Sequence, residues 1–547
     1  MNVSELMIKC LESEGVEYVF GVPGEENEDF LFAIENSSIQ FVPVRHEQGG
    51  AFIANVIGRL TGRAGVCLST LGPGATNLMT GVADANLDKA PLVAITGQGG
   101  IDRIHHESHQ MIDVVQMMSP ITKWNGRIVN GSVVNEMVRK AFKLAQAEKP
   151  GATHIELPED IAASMVAEKY SPLKPYKVYR PVPNIERIEE AIVKLKAAKA
   201  PLILAGNGAI RTRTSKALTR LSQECNIPVA CTFMGKGAIS DKLNTSLRAV
   251  GLGFKDYVLE AFDQADLILT VGYDIAEYSP ENWNCNKDNT IIHLDFEPAE
   301  VYDAYEANLE LVGDIATGLV EIYERLESKT YDSWYEDIRT RIVQSVESYR
   351  SDDEDEHFNA PNVIAAIRQV LPDNALVISD VGSHKMWIAR NYPTFIPNGC
   401  IISNGLASMG ISLPGLIAGH IVDHDRPVVS IMGDGGALMN IQELETAVRL
   451  GVKGVILVLN DNNYGLIEWK QNMNEGKSYG TKLGNPNFVD LSNSFGIEAY
   501  QPKNIGDLKV KVSEAIDQDK LVLLEIPIET AVNNELIQTL GDYYKNK

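Results

Sequence analysis

Apolar and polar positions along the chain switch repeatedly between helical and strand periods. Between Ser4 and Ser13 apolar residues recur at helical spacing. YVFGVP (18–23) then reads as a strand running into a turn, FVPVR (41–45) as a second strand, and the stretch after His46 as a helix. GVCLST (65–70) and PLVAIT (91–96) are short apolar, β-branched runs that suit buried parallel strands. The stretch from Pro172 to Pro183 is rich in proline and lysine and predicts an extended linker. A second alternating region contains PLILAGNGAI (201–210), LILTVGYD (267–274) and TIIHLDFEP (290–298), and ends in charged helix up to Ser351. SDDEDEH (351–357) reads as a solvated connector. The same rhythm returns in ALVISDVGSH (375–384), VVSIMGDGG (428–436), GVILVLNDNNYG (454–465) and LVLLEIP (521–527). The expected fold class is α/β, with three doubly wound parallel-sheet domains over 1–168, 186–345 and 358–547. Ligands in such sheets bind beyond the carboxyl ends of the strands.

Composition narrows the function. A chain of 547 residues with 44% hydrophobic and 22% charged residues can bury several cores. A formal net charge of -24 repels nucleic acid and anionic membrane at long range, so neither is an expected partner. It leaves an anionic small molecule open, because a small site can be locally positive. Cys10, Cys67, Cys225, Cys231, Cys285 and Cys400 are scattered without a CxxC pair and read as free thiols in a reducing compartment. No basic segment precedes an apolar run at the N-terminus, and no run has transmembrane length. A cytoplasmic location is expected.

The strongest chemical signal lies in the third region. Asp434 and Asp461 each follow a strand, 27 residues apart, with the helix IQELETAVRL (441–450) between them. A strand–helix–strand unit places both tips on one edge of a parallel sheet. Two carboxylates and a loop carbonyl there make a hard-oxygen site suited to Mg²⁺. Gly433, Gly435 and Gly436 let backbone approach a diphosphate, with helix N-terminal amides beyond. Taken singly, GDGG and NDNN are also ordinary turn sequences. Their pairing at this spacing, behind matching strands, favours the metal reading.

GDGG followed by NDNNYG resembles the thiamine-diphosphate motif. VFGVPG (19–24), the run from Arg45 to Ala85 and PLVAITGQ (91–98) are similar to the pyrimidine-binding domain of the acetolactate synthase group, and PITKW (120–124) fits it. VGYDIAEYSPENW (271–283), TIIHLDFEPAEV (290–301) and DVGSHKMW (380–387) resemble the catabolic acetolactate synthases in particular. The resemblance covers nearly the whole chain.

It implies roles for individual residues. Glu47 matches the glutamate that contacts N1′ of the aminopyrimidine, and in apolar surroundings a carboxyl can share a proton with a ring nitrogen. Without the resemblance Glu47 reads as a helix-start glutamate. Met409 matches the residue that wedges beneath the cofactor, and Ala407 the position whose carbonyl accepts from N4′; an ordinary core methionine is the alternative. Val381, Gly382, Ser383 and His384 match a loop that approaches the diphosphate, although His384 also suits a structural role. Pro23, Gly72, Tyr464, Gly465 and Leu466 match further cofactor contacts, Asn463 a third metal ligand, and Leu71 the substrate pocket. HHESHQ (105–110) matches an active-site loop, with Gln110 near the reacting carbon; its histidines lack a second ligand cluster for a metal.

Three departures bear on the substrate. Lys470, after Trp469, stands where anabolic relatives carry tryptophan and catabolic ones glutamine. It either holds an oxo-acid carboxylate in the pocket or is a solvated lysine. Glu25 and Glu26 make the first loop acidic where catabolic relatives carry a lysine. Asp461 stands where many relatives have asparagine. The GNG at 206–208 is a feeble nucleotide signal, and the arginine-containing stretch linked to FAD is absent, so no FAD is expected. The resemblance implies thiamine diphosphate, Mg²⁺, a 2-oxo acid substrate and a homo-oligomer, either a dimer with shared active sites or a tetramer. The expected reaction joins two pyruvates into 2-acetolactate with loss of CO₂. The rivals are a 2-oxo acid decarboxylase or other carboligase, and a non-catalytic member of the fold.

Overall fold

The computed structural model describes residues 1–251, 257–284, 289–327 and 329–536. Its strands form three six-stranded sheets, and every named strand pair is parallel. The first contains β1 (Tyr18–Gly21), β2 (Gln40–Pro43), β3 (Gly65–Ser69), β4 (Leu92–Gln98), β5 (Trp124–Arg127) and β6 (Ala152–Pro158), in the order β2-β1-β3-β4-β6-β5. The second contains β7 (Pro201–Ala205), β8 (Val229–Cys231), β9 (Ser246–Ala249), β10 (Leu267–Val271), β11 (Thr290–Asp295) and β12 (Leu309–Val312), in the order β12-β11-β10-β7-β8-β9. The third contains β13 (Leu376–Ser379), β14 (Cys400–Ile402), β15 (Val428–Gly433), β16 (Gly454–Asn460), β17 (Glu498–Tyr500) and β18 (Leu521–Pro527), in the order β14-β13-β15-β16-β18-β17.

The reason lies in the runs themselves. All seven residues of β4 and of β6 are buried. Strands covered on both faces show continuous apolar or small residues rather than alternation. Strand order reverses beside the first strand of each set, and most of the crossovers carry helices. Each sheet therefore gathers its loops at the carboxyl ends of its central strands.

The chain groups into two compact units. One comprises Met1–Tyr179, Gly405–Asp425 and Met439–Val452; the other comprises Arg180–Asn404, Arg426–Leu438 and Lys453–Lys547. Two helices of the expected third region, Ser412–Val422 and Glu443–Arg449, thus fold with the first sheet. In that unit the helix Glu47–Thr61 packs against Pro73–Leu87 and against Ser412–Val422. The expected single helix between Asp434 and Asp461 is two, Asp434–Asn440 and Glu443–Arg449.

In the second unit Lys236 is buried, and its Nζ donates to the carbonyls of Ala389 at 2.9 Å and Tyr392 at 3.0 Å. It caps the C-terminal end of the helix Ser383–Asn391, where a cation suits the exposed carbonyls. The other end of that helix carries Gly382, Ser383 and His384.

Cys10, Cys67, Cys225 and Cys231 are free and buried, Cys400 is buried, and Cys285 lies outside the described residues. Burial pushes the Cys67 and Cys231 thiols up to about 12, which makes them unreactive. No helix among the described residues is long and apolar enough to cross a membrane.

Leu457 lies fully buried at the middle of β16. Leu457→Ala is expected to cost about 2–5 kcal/mol, read from urea unfolding by tryptophan fluorescence. A loss within experimental error would contradict its place in the core.

Candidate active site

In the first unit, four loops leave the carboxyl ends of β1 to β4. Glu47 opens the helix Glu47–Thr61 after β2 and is buried at 7% exposure. Its Oε2 accepts from Asn77 Nδ2 at 3.0 Å. His46 caps the helix, its Nδ1 accepting from Gln48 N at 3.2 Å. The loop after β3 carries buried Leu71 and then Gly72 at φ 50, a left-handed conformation that favours glycine. A side chain at Gly72 would run into the backbone of Gln110, so the loops after β3 and β4 lie against each other. Gln110 itself has φ 57 and is exposed. A Cβ at Gly74 would stand 3.1 Å from Glu47 Oε1, and the Thr70 hydroxyl donates to the Glu26 carboxylate. Two carboxylates, Glu26 and Glu47, thus flank the loop 70–74. Pro23 is exposed at the loop after β1.

The segment 405–410 belongs to the same unit and is tied at both ends. Gly405 N donates to the Asp88 carboxylate at 2.7 Å, and Gly410 O accepts from Asn440 Nδ2 at 2.7 Å. Between them Ala407 holds φ 57, a left-handed conformation unusual for a residue with a Cβ. Met409 is half-buried, unlike a core methionine. His105 and His106 are exposed with their rings 3.8 Å apart, and among the described residues no group of three His, Cys, Asp or Glu is arranged to hold a metal.

In the second unit, the loops after β13, β15 and β16 converge. Asp434 is buried at 2% exposure, and half-buried Asp461 lies beside it. Burial and then the Asp434 charge hold the Asp461 carboxyl well above the usual carboxylate range. Asp434 Oδ2 also accepts from Asn463 N at 3.2 Å and Asn485 Nδ2 at 2.6 Å. Asn463 gives its amide nitrogen to Glu468, which leaves its buried Oδ1 without a partner. Asn460 is spent on scaffolding: its Nδ2 donates to Glu525 at 2.8 Å and its Oδ1 accepts from Asn462 N at 3.1 Å.

Two glycines of the motif, Gly435 and Gly436, are packing requirements. A Cβ at Gly435 would stand 2.9 Å from the Tyr464 ring, and one at Gly436 would stand 2.7 Å from Asp380 Oδ1. A Cβ at Gly433 would stand 3.5 Å from the His384 ring, an ordinary contact, and Gly465 lies hard against Asp461. Val381 and Gly382 are half-buried, whereas Ser383 and His384 are buried. Burial pushes His384 down to about 4, so its imidazole is neutral, and its buried Nε2 lacks a partner. Leu466 and Trp469 pack into the hydrophobic core, while Lys470 is exposed on the helix Gly465–Glu475.

Two residues had no individual sequence signal. Asn77 is a polar position inside a helix of small and apolar residues, and only its contact with Glu47 marks it. Asn485 lies 51 residues from Asp434, beyond any local motif. The GNG loop of the middle sheet has its donors engaged internally. Glu277 is buried, accepts from Asn207 N at 3.0 Å and Asp274 N at 3.1 Å, and receives the Thr232 hydroxyl.

The chain matches three family models. Residues 1–117 match the thiamine pyrophosphate enzyme N-terminal TPP binding domain, 188–322 the central domain, and 380–526 the C-terminal TPP binding domain. The chain is similar over its whole length to an acetolactate synthase of Bacillus subtilis, 31% identical with 100% of this chain and 97% of the relative covered. It is 34% identical to a probable acetolactate synthase large subunit of Methanocaldococcus jannaschii, with 97% and 92% covered. It is 32% identical to a catabolic acetolactate synthase of Raoultella terrigena, with 98% and 97% covered. With both binding-domain models in order around the central one, and full-length relatives of one kind, the chain belongs to the acetolactate synthase family of thiamine pyrophosphate enzymes.

Proposed function

We propose that the chain is an acetolactate synthase that uses thiamine diphosphate and Mg²⁺. Two pyruvate ions and one proton give one 2-acetolactate ion and CO₂. The observation that carries this reading is buried Asp434 paired with half-buried Asp461, beside the partnerless Oδ1 of Asn463. Three convergent hard oxygens, two of them charged and repelling each other, fit a divalent cation.

In this reading Asp434, Asp461 and Asn463 hold Mg²⁺, and the loop 381–384 with Gly433, Gly435 and Gly436 faces the diphosphate. Thiamine diphosphate, when bound, supplies the electron sink that decarboxylation of a 2-oxo acid needs. Glu47 would hydrogen-bond the pyrimidine at N1′, and Asn77 keeps its carboxyl aimed. Met409 would support the ring system, and the Ala407 carbonyl would accept from the exocyclic amine. Leu71 and Gln110 bound the space for the oxo acid. The working form is a homo-oligomer in the cytoplasm, with the pyrimidine held by one subunit and the diphosphate by another, and it works without FAD.

A second reading is decarboxylation to a free aldehyde. The observation that favours it is a second carboxyl group, Glu26, tied to Thr70 on the loop that also meets Glu47. Incubation with pyruvate, thiamine diphosphate and Mg²⁺ separates the two. Acetolactate, detected as acetoin after acid treatment, supports the synthase; accumulation of acetaldehyde alone supports the decarboxylase.

Glu47→Gln removes the carboxyl proton while keeping shape, and is expected to lower kcat by about 10²–10⁴. Steady-state assay at saturating cofactor checks this, and wild-type turnover would sink the assigned role. The Mg²⁺ complex of thiamine diphosphate, taken as one ligand at a hundredfold excess over its Kd, should stabilise the wild type by about 2.7 kcal/mol in thermal unfolding. Asp434→Ala should abolish that shift, and a retained shift would place the metal elsewhere. Lys470→Met is expected to raise the KM of the acceptor oxo acid about tenfold, the scale of one charge-assisted hydrogen bond. An unchanged KM would make Lys470 a solvated lysine.

A further inference from the structure

We propose that Glu443 is a positioning residue that sets the place and direction of Glu47, an inference that rests on the role given to Glu47 above. Glu443 opens the helix Glu443–Arg449 and is fully buried. Its Oε1 accepts from the backbone N–H of Arg45 at 3.1 Å and of His46 at 3.1 Å, and its Oε2 accepts from the Thr446 hydroxyl at 2.6 Å. Arg45 and His46 are the two residues that precede Glu47. Their amides belong to the turn between β2 and the helix Glu47–Thr61, so no strand or helix partner satisfies them.

Two further contacts tighten the grip. Arg449, at the other end of the same short helix, donates to the Pro43 carbonyl. Residues 43–46 are therefore held at both ends by one helix. A Cβ on Gly49 would stand 2.6 Å from Glu443 Oε1, so the first turn carrying Glu47 lies directly on the carboxylate. Burying a carboxylate is costly unless donors surround it, and here the donors come from the segment it orients. Burial raises its affinity for a proton, while Thr446, Arg45 and His46 oppose that by favouring the charged form. Charge-assisted bonds fix direction as well as distance, and a displacement of the acid by about 1 Å can cost about a hundredfold in rate.

Nothing in this arrangement touches substrate, so its signature is a split between parameters. Glu443→Gln keeps the shape but presents an N–H where a lone pair received an amide. The variant is expected to speed hydrogen exchange at Arg45 and His46 in the cofactor-free protein, measured by mass spectrometry or NMR. It is also expected to lower kcat about 10–100-fold with the pyruvate KM changed less than about twofold. Gly49→Ala, which pushes the first turn off an intact carboxylate, should give the same split. Val448→Thr, at an exposed position of the same helix, should leave turnover unchanged. If Glu443→Gln is folded and both amide exchange and kcat match wild type, the proposal is overturned. If it does not fold, Gly49→Ala decides: a wild-type kcat there overturns the proposal, and a lowered kcat with unchanged KM supports it. Full turnover in Glu47→Gln would instead remove the reading of Glu47, while amide exchange at Arg45 and His46 would still report whether Glu443 clamps the turn.

Discussion

Two carboxyl groups pressed together, one of them buried, are the constraint around which the third sheet's loops are arranged. Asp434 and Asp461 follow neighbouring strands, β15 and β16, whose register brings Gly433 opposite Leu459. Asn485 and the Asn463 backbone hold Asp434 in place, and Gly465 lies against Asp461. The pair is tolerable only if a proton or a cation sits between the carboxylates. The idle amide oxygen of Asn463 and the neutral His384 ring lie in the same loop cluster, with buried polar atoms unspent. A structure that merely needed turns would satisfy these atoms internally.

The first unit solves a different problem with the same residue type. Glu47 must keep a single direction while mostly buried, and a helix start alone leaves its approach soft. Asn77 holds the carboxyl, Glu443 holds the two residues before it, and Gly74 and Gly49 clear the space on either side. The left-handed Ala407, pinned between Gly405 and Gly410, is a second place where backbone freedom is surrendered. Such positions persist only when their surroundings over-determine them.

The middle sheet shares the doubly wound topology of the other two yet gathers no comparable set of unspent polar groups at its GNG loop. Glu277 supplies the acceptor for those amides from within the chain. Identical architecture therefore yields different chemistry, since function resides in the loops and not in the layers. Lys236 links this sheet's region to the helix that ends in the loop 382–384.

Much of the fold was legible from local pattern. Continuous β-branched runs separated by amphipathic stretches admit little besides buried parallel strands with helical crossovers, and a parallel sheet then sends Asp434 and Asp461 to one edge. The motif order was likewise a one-dimensional property. Local pattern could not reveal pairings between distant segments. The partner of Glu47 is 30 residues away, that of Arg45 is 398 away, and Asn485 reaches Asp434 across 51. Neither could it show that two helices of the last region pack with the first sheet, or that one helix between the aspartates is broken in two. Periodicity reports which face of an element is buried, but not against what. Hydrogen bonds between loops depend on where the strands end in space, and only the packed chain sets that.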